Sequence, residues 1–203
     1  MRQIRIYIHC TIINHWRDIC AELTTHLTES GLLSSTESIN LGFVNDSTES
    51  REECLALAPK GSVIRTSENR LDQYEFPTIG VLQKDCRKAE EPFFCLYVHF
   101  KGSFNMAESQ EVWRRAMIRF CIDSWQECVE KLELGYATAG AIGATENIGK
   151  VYHSGNYWWA RSEYIASLPA IGTFDQSNRY WAEQFATYNH EAQHYFHKLN
   201  QRW

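Results

Sequence analysis

Residues 93–98, Phe93-Phe94-Cys95-Leu96-Tyr97-Val98, decide how the rest of the chain is read. A strand with one wet face alternates apolar and polar residues. This run does not, so it reads as a central parallel strand with helices over both faces. The rhythm extends outward from it. Upstream lie a strand over Ile4–Ile8, a helix from about Asn14 to Ser30 with Ile19, Leu23 and Leu27 on one stripe, and a strand over Ile39–Val44. A helix over Glu49–Ala58, a strand over Ser62–Thr66 and a helix over Phe76–Ala89, with Pro77 in its first turn, complete that half. Downstream, the spacing of Trp113, Met117, Cys121, Trp125 and Cys128 predicts one long helix, about Ala107–Leu132, before a strand over Tyr136–Ile142. Such alternation implies an α/β fold, an open, mostly parallel sheet with helices on both faces. After Ile142 the pattern becomes irregular. Gly143–Lys150 reads as a loop and His153–Ala160 as a strand-like aromatic segment, with helices expected at Ser162–Leu168, Tyr180–Thr187 and the tail.

Composition sets outer limits. At 203 residues the chain is one domain, 1–203, of ordinary size, and 44% hydrophobic with 22% charged residues suits a packed core and a wet surface. The net charge of −5 argues against a nucleic-acid partner, since phosphate-backbone binding needs a surplus of cations. No run of about 18 apolar residues predicts a membrane-spanning helix. The opening MRQIRIYIHCTII reads as a strand rather than a secretory signal, because His9 and Cys10 interrupt the apolar stretch. Seven scattered cysteines without any Cys-x-x-Cys fit buried free thiols in a reducing cytoplasm. The skewed class is aromatic, with ten Phe, ten Tyr and seven Trp, which suits either a ligand cleft or a rich core.

Ligands of open α/β sheets bind beyond the carboxyl ends of the strands. That rule selects Cys10–Asn14, Asn45–Thr48, Glu68–Asp72, His99–Ser103 and Gly143–Ser154. In His99-Phe100-Lys101-Gly102, the histidine and lysine at i, i+2 point to one side, and the pair reads as an anion site or as a solvated strand end. In His153–Arg161 the interleaved amides and rings suit sugar or base recognition, or the core. Glu183, amid bulky rings in RYWAEQF, is a base candidate if desolvated, and otherwise a structural glutamate. His190-Glu191-Ala192-Gln193-His194 matches the zinc-peptidase pattern H-E-x-x-H. Only nine residues follow it, with no turn to bring in a third ligand, so a surface helix with chance histidines is favoured. No Walker, dinucleotide or G-x-S-x-G motif is present.

At EFPTIGVL, LYVHFKG, VWRRAM and HSGNYWWARSEYIASLP the sequence resembles the short glycosyltransferases of cell-surface polysaccharide clusters, of the rhamnan-synthesis type. Their pattern is close to L-Y-x-H-T-K-G, W-R-x-x-M, H-F-S-G-N-F-W-W-A and x-Y-I-x-x-L-P. The likeness spans about Asn14 to Phe185; Phe100 replaces the usual threonine, and Tyr152-His153-Ser154 replaces a Pro-His-Phe-Ser run. The resemblance implies a GT-A-like (Rossmann-like) fold, with residues 1–142 binding the nucleotide-sugar donor and 143–203 forming an acceptor part and C-terminal helix. It implies inverting transfer of a hexosyl or deoxyhexosyl group to a glycan or lipid-linked glycan in polysaccharide or lipopolysaccharide synthesis, in the cytoplasm and with possible peripheral membrane contact. His99-x-Lys101 stands where such folds usually carry a metal-binding Asp-x-Asp. Fixed positive charge on Lys101, helped by His99 and Arg114, is then expected to take the place of a metal such as Mn²⁺, with no cofactor required. By the same analogy Glu183 is the catalytic base. Thr11, Asn14, Asn69 and Arg70 join Lys101 and Arg114 at the donor, and His153, Asn156, Trp158 and Trp159 at the acceptor. A non-catalytic carbohydrate- or nucleotide-binding domain of the same fold is the other reading.

Overall fold

The computed structural model describes residues 2–141, 143–145 and 151–197. Strands β1 (Ile4–Thr11), β2 (Thr36–Val44), β3 (Val63–Glu68) and β4 (Phe94–His99) are parallel, with β1 pairing to both β2 and β4. Helices α1 (Trp16–Glu29), α2 (Thr48–Leu57) and α3 (Phe76–Lys88) make the crossovers. After β4 come α4 (Glu108–Ile118), α5 (Trp125–Glu133) and β5 (Thr138–Gly140). The antiparallel pair β6 (Gly143–Thr145) and β7 (Val151–His153) precedes β8 (Trp158–Arg161), α6 (Ser162–Ser167), α7 (Tyr180–Gln184) and β9 (His194–Phe196). Among the described residues the main sheet runs β3-β2-β1-β4-β8-β5-β9. It is open and mostly parallel, with β8 antiparallel to both neighbours, as the alternation of elements implies.

Both faces of β4 are dry. Phe94, Leu96 and Val98 join Ile6, Ile8, Ile19, Leu23 and Trp159 in one core; Cys95 and Tyr97 join Tyr7, Ile79, Leu82, Trp158 and Ile165 in the other. The period-2 alternation of a strand sends neighbouring side chains into different cores, which is why the run carries no polar positions. Strand β8 repeats the device. Trp158 stacks on its cross-strand partner Tyr97 at 5.0 Å and 18°, while Trp159 faces Leu96 and lies in the opposite core. On the second face, Gln83 of α3 donates to the carbonyl of Pro169 at 2.8 Å and accepts from Ile171 N–H at 2.9 Å, latching α3 to the segment that follows α6.

Four elements differ from expectation, the first being the 143–150 loop, whose start, Gly143–Thr145, pairs with Val151–His153 as β6. The long helix over 107–132 breaks. A π turn at Arg119–Asp123 and a non-helical Ser124 separate α4 from α5, and inside the turn the Cys121 carbonyl accepts the Trp159 indole N–H at 2.7 Å. The wider π turn leaves a carbonyl for a partner outside the helix. The strand over Tyr136–Ile142 shortens to Thr138–Gly140, Ile142 lying outside the described residues. The C-terminal helix is also corrected. Residues 190–193 form a turn, and β9 pairs parallel with β5, because Ala137 N–H takes the Gln193 carbonyl and the rings of Tyr195 and Tyr136 meet edge to face at 5.7 Å. Residues 198–203 lie outside the described residues. All seven cysteines are free and buried.

Trp159 fills the first core and satisfies a main-chain carbonyl, so Trp159→Ala should lower the unfolding free energy by about 3–5 kcal/mol. Urea titration followed by far-UV circular dichroism measures this; a loss under about 1 kcal/mol would show that the ring is not a packing element.

Candidate active site at the carboxyl ends of β1 and β4

Near the carboxyl ends of β1 and β4 the apolar run gives way to histidine. His9 and His99 are cross-strand partners. His9 is buried, bonded through Nδ1 to Thr78 Oγ1 at 2.8 Å, and burial pushes it down to about 3. His99 approaches Glu75 of the α3 N-terminus at 3.5 Å, with their side chains 12% and 13% exposed. Burial, followed by the charge of Lys101, holds the His99 imidazolium well below its usual range. Burial and then the charge of Glu183 push the Glu75 carboxyl up to about 7, against the pull of its own backbone hydrogen bond, Lys101 and Arg179. The buried Tyr97 hydroxyl has no hydrogen-bond partner among the described residues and is held well above its ordinary range, first by burial and then by the charge of Glu75.

Two cations complete the group. Lys101 follows a tight turn in which its N–H meets the His99 carbonyl at 2.7 Å, and its ammonium lies 5.6 Å from the centre of the Trp113 ring. Gly102 (φ +89°) lets the next turn form, in which Ser103 N–H meets the Phe100 carbonyl at 3.2 Å; a Cβ there would come within 3.0 Å of Arg114 Nη1. Arg179, preceding α7, stays charged despite partial burial through a hydrogen bond to Tyr180 and the charges of Glu183 and Glu75. Beside Glu183 a shallow groove is lined by Val151, Tyr152, Trp181, Gln184, Tyr188 and His190.

Of the residues read from the sequence, the structure brings His99, Lys101 and Glu183 to one place. It corrects others. Arg114 is 3% exposed, donates to Glu22 at 2.6 Å and braces the Lys101 carbonyl at 3.4 Å, so its charge is already spent inside the protein. Asn14 donates to the Phe104 carbonyl at 2.7 Å and ties the loop after β4 to the one after β1, whose strand ends at Thr11. Asn69 and Arg70 are exposed beyond β3, and Arg70 is bonded to Asp72. Two strands lie between β3 and β4, which puts these residues roughly 14 Å along the sheet from Lys101. His153, Asn156, Trp158 and Trp159 are at most 1% exposed and present no surface to an acceptor. Trp158 and Trp159 are core because β8 is an interior strand, whereas His153 ends β7 and Asn156 lies in the turn that leads into β8. The zinc pattern dissolves as well, since His190 and Glu191 sit in a turn and His194 on β9, bonded to Thr138 at 2.8 Å. Among the described residues no three His, Cys, Asp or Glu side chains are grouped to hold a metal ion.

Glu75 and Arg179 escaped the sequence reading. The strand-end rule pointed at the loop after β3 but stopped at Asp72, three residues short of a glutamate set just before the Pro77 turn; Arg179 stands four residues ahead of Glu183.

The family model for a domain of unknown function, DUF8361, matches residues 9–201. The chain belongs to that family. No curated protein matches it. Among solved structures, the DUF8361 chain is similar to HddC from Yersinia pseudotuberculosis at 9% identity and a TM-score of 0.52, over 97% of this chain and 90% of that one. It is also similar to a 4-diphosphocytidyl-2C-methyl-D-erythritol synthase at 8% identity and a TM-score of 0.50, over 100% and 92% of the two chains. At such identities the shared property is the fold. No helix among the described residues is long and apolar enough to cross a membrane.

The raised Glu75 has a consequence for stability. Between its ordinary value of 4.5 and about 7, the folded chain keeps a proton on Glu75 that the unfolded chain has released. Its contribution is therefore complete below about 4.5 and is lost as pH rises through 7. The difference in unfolding free energy between the natural chain and Glu75→Gln should shrink by up to about 1.4 kcal/mol per pH unit across that window. Urea titrations at several pH values read it, and a flat difference would mean an ordinary glutamate.

Proposed function

We propose that this DUF8361 chain is a transferase that moves a sugar from a nucleoside-diphosphate donor to a glycan or lipid-linked glycan acceptor, with protein cations rather than a metal on the diphosphate. The convergence of Lys101, Arg179, Glu75 and Glu183 at the carboxyl end of a central strand carries the reading. Ligands of open α/β sheets bind there. The fold shared with HddC and with a synthase whose name specifies a diphosphocytidyl compound supports a nucleotide ligand. The motifs resembling those of polysaccharide-cluster glycosyltransferases support a sugar donor and a glycan acceptor.

In this mechanism Lys101 and Arg179 neutralise the departing diphosphate, Arg179 taking the part first read for Arg114. Glu183, partly exposed beside the groove of Trp181, Gln184 and Tyr188, accepts the proton of the acceptor hydroxyl. The hydroxyl oxygen bonds to the anomeric carbon as that carbon's bond to the phosphate oxygen breaks; attack from the face opposite the diphosphate inverts the centre. Aromatic faces beside an amide suit a sugar ring.

A thermal-shift panel of UDP-, GDP- and dTDP-sugars, with a CMP-sugar as monophosphate control, should reveal a diphosphate class that raises Tm equally with and without EDTA. Lys101→Ala should weaken that binding about ten- to a hundredfold, the worth of a charge-assisted hydrogen bond. Glu183→Gln should bind the donor normally and abolish transfer. Turnover lost in EDTA and restored by Mn²⁺ would sink the metal-free mechanism, and release of pyrophosphate from a nucleoside triphosphate and a sugar 1-phosphate, with no nucleoside diphosphate released from any nucleotide sugar, would replace glycosyl with nucleotidyl transfer.

A further inference from the structure

Hydrogen-bond complementarity sets the proton count at His99. Its Nε2 lies 2.9 Å from the Gly155 carbonyl, an atom that only accepts, so Nε2 carries a hydrogen. Its Nδ1 lies 3.5 Å from Glu75 Oε1. A neutral imidazole with its hydrogen on Nε2 presents a lone pair at Nδ1, and an ionised Glu75 would present another. Two acceptors facing each other, with both side chains nearly nine-tenths out of water, repel; one proton between them turns the repulsion into a bond. We propose that Glu75 and His99 form a carboxyl–imidazole dyad holding one shared proton at neutral pH, and that an anionic diphosphate seated beside Lys101 and Arg179 tightens the hold on it. The first half stands on the ligand-free geometry; the second rests on the function proposed above.

The surroundings decide which partner keeps the proton. Lys101 from the turn after β4, His9 from β1 and Arg179 before α7 all disfavour an imidazolium at His99, and burial disfavours it most. Burial and Glu183 of α7 favour a neutral carboxyl at Glu75. Tyr97 of β4 stays protonated through burial, and the Tyr157 hydroxyl donates to the His99 carbonyl at 2.7 Å. The proton therefore sits on Glu75, which donates to Nδ1. The backbone hydrogen bond of Glu75 itself draws it off first, and then the charges of Lys101 and Arg179. A diphosphate bound to those cations cancels their pull and adds negative charge, so Glu75 binds its proton more firmly. Donor binding above about pH 7 then takes up a proton from solvent, and by linkage affinity falls as pH rises.

Two measurements separate the halves. Long-range ¹H–¹⁵N spectra of the ligand-free chain should show His99 neutral, with its hydrogen on Nε2, from about pH 6 to 8, and Nδ1 shifting in a step near pH 7 as Glu75 ionises. Glu75→Gln, whose amide N–H replaces the carboxyl donor, should fold and lose the step; Glu75→Ala serves as a second variant. A His99 hydrogen on Nδ1, or ionisation near the ordinary histidine value, overturns the dyad. For the coupling, UDP-glucose, GDP-mannose and dTDP-glucose are titrated calorimetrically in buffers of different ionisation heat, since their diester diphosphates do not titrate near neutrality. The expected result is net proton uptake, up to one per ligand bound, with Kd rising by at most about tenfold per pH unit above 7, and neither effect in Glu75→Gln. Binding without proton uptake overturns the coupling and leaves the transferase reading intact. Failure of all three to bind overturns that reading and the coupling together, while the spectra still decide the dyad.

Discussion

Strand β4 has no side that meets water, and the remaining architecture follows from covering it. Flanked by β1 and β8, it needs a helical layer on each face, and α1, α4 and α5 supply one while α3, α6 and α7 supply the other. Within β4 the Tyr97 hydroxyl is the one buried oxygen of a side chain, and charged or imidazole groups begin only where the strand runs out, at His99 and the turn to Lys101. The second layer delivers the acidic partners. Glu75 sits at the start of α3, and the Gln83 latch fixes α3 to the stretch that leads on to Arg179 and Glu183. Packing and chemistry are thus joined through one helix.

Much of the fold was legible because it rests on periodicity. The alternation of strands and helices up to Gly140, the burial of the thiols and the two-sided character of β4 all follow from which positions repeat as apolar. What periodicity cannot carry is tertiary exchange of hydrogen bonds. The stripe from Trp113 to Cys128 reads as one helix because its spacing stays in phase, yet the chain opens a π turn so that Cys121 can receive the Trp159 indole. Similarly, His190 and His194 have helical spacing, but Tyr195 and Phe196 gain more by extending the sheet edge.

The site was legible in part for a related reason. His99, Lys101 and Glu183 are chemically conspicuous in sequence, whereas Arg114 and Arg179 look alike there and are told apart only by their partners. Glu22 has claimed Arg114 in a partly buried pair, and such a pair is a brace with no charge to spare. Arg179 is exposed and feels the charges of Glu183 and Glu75, so its own charge stays open to solvent. The aromatic excess divides along the same line. Trp158 and Trp159 belong to the interior, and Trp181 and Tyr188, in a late helical segment with a half-open face, belong to the groove.

Gly155 has no side chain, yet it governs one. Its φ of +84° closes the turn in which Asn156 N–H meets the His153 carbonyl, and a Cβ there would collide with Met117 Sδ. That turn aims the Gly155 carbonyl at His99 Nε2. The tautomer of a strand-end imidazole is thereby written into main-chain geometry fifty-six residues further on. Position 155 thus behaves as part of the site's chemistry although nothing projects from it, and its tolerance to substitution is limited by proton placement as much as by space.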